Sequence, residues 1–210
     1  MVKLIVIHDI SINKNIYESI MDTTILMDYN KLEYYLDFNG DTTSTNYIDL
    51  LIKFIIDNKI SNGVIAIHDI AKRKVTARYI LNKLPSFNFI TFVHPTCVIG
   101  KNTKIGIGSI IMPEVIINTY SVVKDFCIIN TNTSVDHDSI INSYSNICSG
   151  VILGGNLQLG EESELELGVC ILENISIGAR TTIKYGSLVT RDIGSDIIAS
   201  GIPAKKISLD

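Results

Sequence analysis

His137 is the side chain best suited to taking and returning a proton near neutral pH, and it stands between two carboxylates in Asp136-His137-Asp138. An imidazole titrates close to physiological pH. A neighbouring carboxylate orients the ring and stabilises its protonated form, which raises its basicity. The chemistry this suits is general-base catalysis. Further along, Gly154-Gly155 leaves the main chain bare, so a ligand can approach it closely and a backbone N–H can meet developing negative charge. The cysteines are Cys97, Cys127, Cys148 and Cys170, and no two form a Cys-x-x-Cys pair. They read as reduced packing residues rather than nucleophiles or disulfide partners.

Bulk properties narrow the setting. The chain has 210 residues and a net charge of −4, with an isoelectric point near 5.5. A nucleic-acid binder would carry a basic face, so none is expected as a partner. Met1-Val2-Lys3 runs straight into Leu4–Ile7, which His8 and Asp9 end too soon for a secretory signal. Residues 139–160 carry no charge, but their recurrent Asn, Ser, Gly and Gln are costly in lipid. The expectation is a soluble, cytoplasmic protein with no membrane association.

The elements that must position these groups fall into two grammars. Residues 1–93 read as a small α/β domain. Strands are expected over Lys3–Ile7, Thr24–Met27, Gly63–Ile67 and Asn88–Val93. Helices are expected over Lys14–Met21, Asn46–Asn58 and Ala71–Lys83, with a loop over residues 40–45. From residue 94 onward a different period takes over. Every sixth residue from Ile99 to Val189 is Ile, Leu or Val. Four residues after each sits, mostly, a small or β-branched residue, beginning Thr103, Ser109, Val115, Ser121, Cys127.

A period of six fits neither a helix nor a simple strand. It fits a chain that turns a corner every six residues and stacks as a three-sided coil, with one apolar side chain per side pointing to the axis. Roughly five coils, spaced about 4.8 Å apart, would follow. His137 comes two residues after an inward position, Val135, and so belongs at a corner.

The unbroken pattern [LIV]-x-x-x-[STAV]-x resembles the hexapeptide-repeat acyltransferases, whose repeats form a left-handed parallel β-helix. Gly201-Ile202-Pro203-Ala204-Lys205-Lys206 is similar to the segment that follows the helix in those enzymes. Over nearly the whole chain the resemblance narrows to the group containing sialic-acid O-acetyltransferases and bacterial nucleotide-linked 4-amino-sugar N-acetyltransferases. Ile129-Asn130-Thr131-Asn132-Thr133-Ser134-Val135-Asp136-His137-Asp138 looks like that group's catalytic strip. The implied architecture is an α/β Rossmann-like domain over residues 1–93, followed by a left-handed β-helix over 94–210.

The implied activity is acetyl-CoA-dependent N-acetylation of the 4-amino group of a UDP- or dTDP-linked amino deoxy sugar, within glycan biosynthesis. His137 would be the general base, Asp138 its partner rather than Asp136, and Asn130 a holder of the acceptor or the base. Gly155, Asn146, Leu167 and Tyr185 match positions that meet acetyl-CoA. The cofactor would lie in a groove between adjacent coils of a homotrimer, with Lys184, Arg180, Lys205 and Lys206 as candidates for its phosphates. No metal is expected, since the related zinc enzymes use several coil histidines and this repeat holds one.

In the first domain the group carries glycine-rich loops where this chain has His8-Asp9-Ile10 and His68-Asp69-Ile70, and its first glycine is Gly40. An NAD fingerprint is absent. Substrate binding would rest by position on His8, Asp9, Asp28, His68, Asp69 and Arg73. O-acetylation of a sugar hydroxyl and a non-catalytic β-helix scaffold are the alternatives.

Overall fold

The computed structural model describes residues 4–9, 34–38 and 45–207. Two compact units divide the chain, Met1–Phe92 and Val93–Asp210.

In the first unit, β1 (Leu4–Asp9), β2 (Tyr34–Phe38), β3 (Asn62–Ala66) and β4 (Asn88–Phe89) form a sheet of order β2-β1-β3-β4. Its pairings are parallel. Leu4, Ile5, Val6 and Ile7 are buried, as are Val64, Ile65, Ala66 and Ile67, which explains why these strands read as continuous apolar runs. Helix α1 (Thr45–Asp57) buries Ile48, Leu51, Ile52 and Ile55 along one stripe, as their spacing predicts. Helix α2 (Ile70–Lys83) begins at Asp69, whose carboxylate caps it by accepting the Lys72 N–H at 2.9 Å. Strand β2 is a correction to the sequence reading. The helix and strand expected within residues 14–27 lie outside the described residues.

The second unit is a left-handed parallel β-helix of about six turns. It is built from two-residue strands running from β5 (Phe92–Val93) to β21 (Leu188–Val189). They stack as three sides of eight, six and five strands, and the eight-stranded side ends in the antiparallel pair β22 (Ile198–Gly201) and β23 (Ala204–Lys206).

Folding gives each hexad position its own task. The inward residues from Ile111 to Val189 are all buried, and each contributes roughly 1.5–3 kcal/mol. Where the coil begins the rule is looser: Ile105 is half-buried and Ile99 is 39% exposed. Three residues after each inward position the chain takes a positive φ, at every sixth residue from Asn102 to Gly186. That left-handed residue turns the corner, and its N–H reaches the preceding coil, as Asp138 does to the Thr119 carbonyl at 3.1 Å.

The following residue faces inward at the corner and is mostly small or β-branched, with Leu157 an exception. Where it is Ser or Thr, its hydroxyl serves two coils. Ser121 Oγ donates to the Asp136 carbonyl at 2.9 Å and accepts from the Ser139 N–H at 3.2 Å. Ser163 repeats the arrangement with Gly178 and Thr181. Buried polar atoms are thus satisfied without opening the core.

Candidate active site

Strand β12 (Ser134–Val135) lies on the six-stranded side, and the corner that follows it is Asp136-His137-Asp138-Ser139. Asp138 takes the left-handed conformation at φ 58°, one that Asp tolerates better than most residues. Its carboxylate meets the neighbouring ring, with His137 Nδ1 to Asp138 Oδ2 at 2.8 Å. With Nδ1 engaged, Nε2 is the nitrogen left to act. The His137 side chain is 57% exposed. Its pKa is raised, first by the hydrogen bond to Asp138 and then by the charge of Asp136. An exposed imidazole whose protonated form is stabilised by neighbouring carboxylates is the outcome.

One coil later in the same column sits Gly155. A Cβ there would lie 2.9 Å from both Cε1 and Nε2 of His137. Only glycine leaves the imidazole its place. The Gly155 N–H donates to no group among the described residues, while its carbonyl accepts from Asn174 N–H at 2.9 Å. A proton acceptor and an unspent backbone donor therefore meet at one corner, the pair that attack on a carbonyl requires.

The other expected residues fall elsewhere. Asn130 follows β11 (Ile128–Ile129) on the eight-stranded side, and its amide donates to the Ile147 carbonyl at 3.2 Å. Asn142 does the same to Leu159 at 2.8 Å, so this is a coil-to-coil bond rather than a grip on His137. Asn146, the residue before the inward Ile147, is 1% exposed. Leu167 and Tyr185 are exposed and stacked one coil apart. They lie at the corner before the six-stranded side, whereas His137 lies at the corner after it. Lys184 pairs with Glu166 at 2.7 Å, and Arg180 forks onto Asp196 at 2.6 and 2.7 Å. Both cations are held by carboxylates, while Lys205 and Lys206 remain exposed.

The first unit brings further corrections. Arg73, expected at the substrate, is 0% exposed, and its Nη1 donates to the carbonyls of Ile67 and His68 at 2.7 and 3.0 Å. It braces the strand-end turn from within. Asp69 is exposed, and one of its carboxylate oxygens caps α2. His68 is half-buried, His8 and Asp9 close β1, and Asp28 lies outside the described residues. Among the thiols, burial, then Glu164 and Glu166, push Cys148 up to about 11. Burial also raises Cys97. Sequence reasoning missed Asn118, whose amide donates to Asp136 Oδ1 at 2.8 Å. The signal was its place 18 residues before Asp136, one coil away in the same column.

No family model matches the chain. GDP-perosamine N-acetyltransferase of Escherichia coli O157:H7 is a homologue, 29% identical over 123 residues that cover 56% of each protein. Serine acetyltransferase 2 of Arabidopsis thaliana is 36% identical over 85 residues, 37% of this chain and 26% of that one. The chain therefore spans little more than half, or less, of the curated relatives it matches. Two solved structures share the fold over nearly the whole length. Perosamine N-acetyltransferase (PerB) from Caulobacter crescentus, in complex with CoA and GDP-perosamine, superposes with a TM-score of 0.83 at 22% identity, over 99% of this chain and 98% of that one. The acetyltransferase domain of PglB from Neisseria gonorrhoeae, in complex with acetyl coenzyme A, gives 0.82 at 23% identity over 98% of both.

Proposed function

We propose that this protein is an acetyl-CoA-dependent N-acetyltransferase acting on the amino group of a nucleotide-linked deoxy sugar. The observation that carries the reading is the corner at His137, where a base braced by Asp138 stands over a glycine with a free N–H. The amine attacks the thioester carbonyl carbon directly. His137 Nε2 takes the proton, the Gly155 N–H stabilises the oxyanion, and CoA leaves as the thiolate. The raised Cys148 thiol supports direct attack over an acyl-enzyme. The homologue and the structural neighbours, all acetyltransferases, support the same chemistry.

The functional unit in this reading is a homotrimer. Outward positions of the six-stranded side carry exposed apolar residues, Val98 at 60%, Ile116 at 40% and Ile152 at 55%, with Ser134 between the last two; exposed apolar surface of this kind marks association. His137 with Gly155 borders one edge of that side, and Leu167 with Tyr185 borders the other. Three copies meeting on this side would bring unlike edges together and complete a cofactor groove from two chains.

The first unit would be a Rossmann-like nucleotide-sugar domain. Its strand order reverses at β1, so the ends of β1 and β3 flank a switch point where such sheets bind ligands. His8, Asp9 and His68 border it.

Release of free CoA thiol, measured with GDP-, UDP- and dTDP-linked 4-amino sugars, tests the reading. An amide product is expected, and an alkali-labile ester would turn the assignment to O-acetylation. His137→Ala is expected to abolish turnover with the fold intact; retention of more than about a tenth of the wild-type rate would reject its role as base.

A further inference from the structure

Two carboxylates flank His137, and the resemblance assigns work to one. Asp138 grips the ring. Asp136 is turned the other way: its Oδ1 accepts the His137 backbone N–H at 2.8 Å and the Asn118 side-chain amide at 2.8 Å. Asn118 lies one coil earlier, fixed there by its N–H to the Val135 carbonyl at 2.9 Å. The Asp136 main chain is itself tied to both neighbouring coils, its N–H to the Leu153 carbonyl at 3.1 Å and its carbonyl to Ser121 Oγ at 2.9 Å. Beyond it, the His137 carbonyl accepts the Asn156 N–H at 2.8 Å. The carboxylate of Asp136 thus has one fixed orientation.

We propose that Asn118 and Asp136 form a positioning clamp, which holds the peptide of His137 in place and keeps a fixed negative charge beside its ring. Asp138 decides which nitrogen carries the proton. Asp136, held by Asn118, decides where the ring is launched from and adds charge that favours proton uptake. The hydrogen bond from Asn118, followed by that from the His137 N–H, holds the Asp136 carboxyl below its ordinary range, so it stays ionised throughout the histidine range. The charged groups that face His137 among the described residues are Asp136 and Asp138 on its own corner and Glu173, two coils on. The clamp rests on the acetyltransferase reading only where a rate is measured.

Asp136→Asn tests it, since the amide keeps an acceptor for the His137 N–H and removes the charge. The His137 imidazole, followed by NMR across the pH range, is expected to titrate at lower pH than in wild type. The acid limb of kcat/KM should move the same way, and the plateau should fall ~10-fold, as supporting groups around a site commonly produce. An imidazole titration unchanged from wild type would overturn the electrostatic role, whatever the rate. Asn118→Ala leaves the charge but frees it; a lower kcat with KM for acetyl-CoA unchanged supports positioning, and wild-type kcat would overturn it. Should wild type itself transfer no acetyl group, the acetyltransferase reading fails while the NMR titration still decides the clamp.

Discussion

The corner at His137 works because three neighbours restrict one ring in different ways. Asp138 sets its tautomer, Asp136 holds its peptide, and Gly155 leaves it space. Gly155→Ala would force the imidazole aside, because a Cβ 2.9 Å from Cε1 and Nε2 is closer than carbon contacts allow. A displacement approaching an ångström costs on the order of 100-fold in rate, so kcat for thiol release is expected to fall by that order while the melting temperature stays near wild type. Asp138→Asn removes the largest cause of the raised His137 pKa. A base acts when deprotonated, and a raised pKa puts the acid limb of kcat/KM above the ordinary histidine value. Losing the cause should move that limb to lower pH, which a pH–rate profile checks.

At the level of elements, strands of two residues would be worthless alone and stand only because each is stacked on another. The load falls on the inward residue and on the corner hydroxyl. Ile147 is fully buried in mid-coil, and Ile147→Ala should cost about 2–5 kcal/mol through the cavity it leaves. Ser139→Ala removes the acceptor of the Leu157 N–H, now at 3.2 Å. An orphaned buried donor costs about 1–3 kcal/mol. Urea unfolding of the two variants should therefore rank isoleucine loss above serine loss. The same corner chemistry explains Asn130: its amide is drawn to the carbonyl of the coil above, as Asn142's is, and coil register is the first use the fold makes of it.

For the molecule as a whole, association is the decisive question, because one chain separates the edge bearing His137 from the edge bearing Leu167 and Tyr185. Ile152→Glu would place a charge on the exposed apolar side midway along the coil. The expected result is a smaller mass by light scattering, an unchanged β spectrum and lost transfer activity. An unchanged mass with full activity would count against the two-chain groove. No helix among the described residues is long and apolar enough to cross a membrane.

The sequence by itself determined the coil, since a six-residue period sends one aliphatic side chain per side to the axis, a rule the fold keeps from Ile111 to Val189. It also determined that His137 would stand at a corner beside Asp138, because hexad position decides outward from inward. Only the tertiary structure decided what each corner residue is near, for its partners lie 18 residues away in the next coil and leave no local pattern. That is how Asn118 came to Asp136 and Gly155 came to lie against the imidazole. It also turned Arg73 inward: a strand-end turn with two carbonyls to satisfy captured the guanidinium that position in the resemblance had assigned to the substrate. Strand β2 was equally invisible, its identity set by pairing with β1 rather than by any alternation of its own.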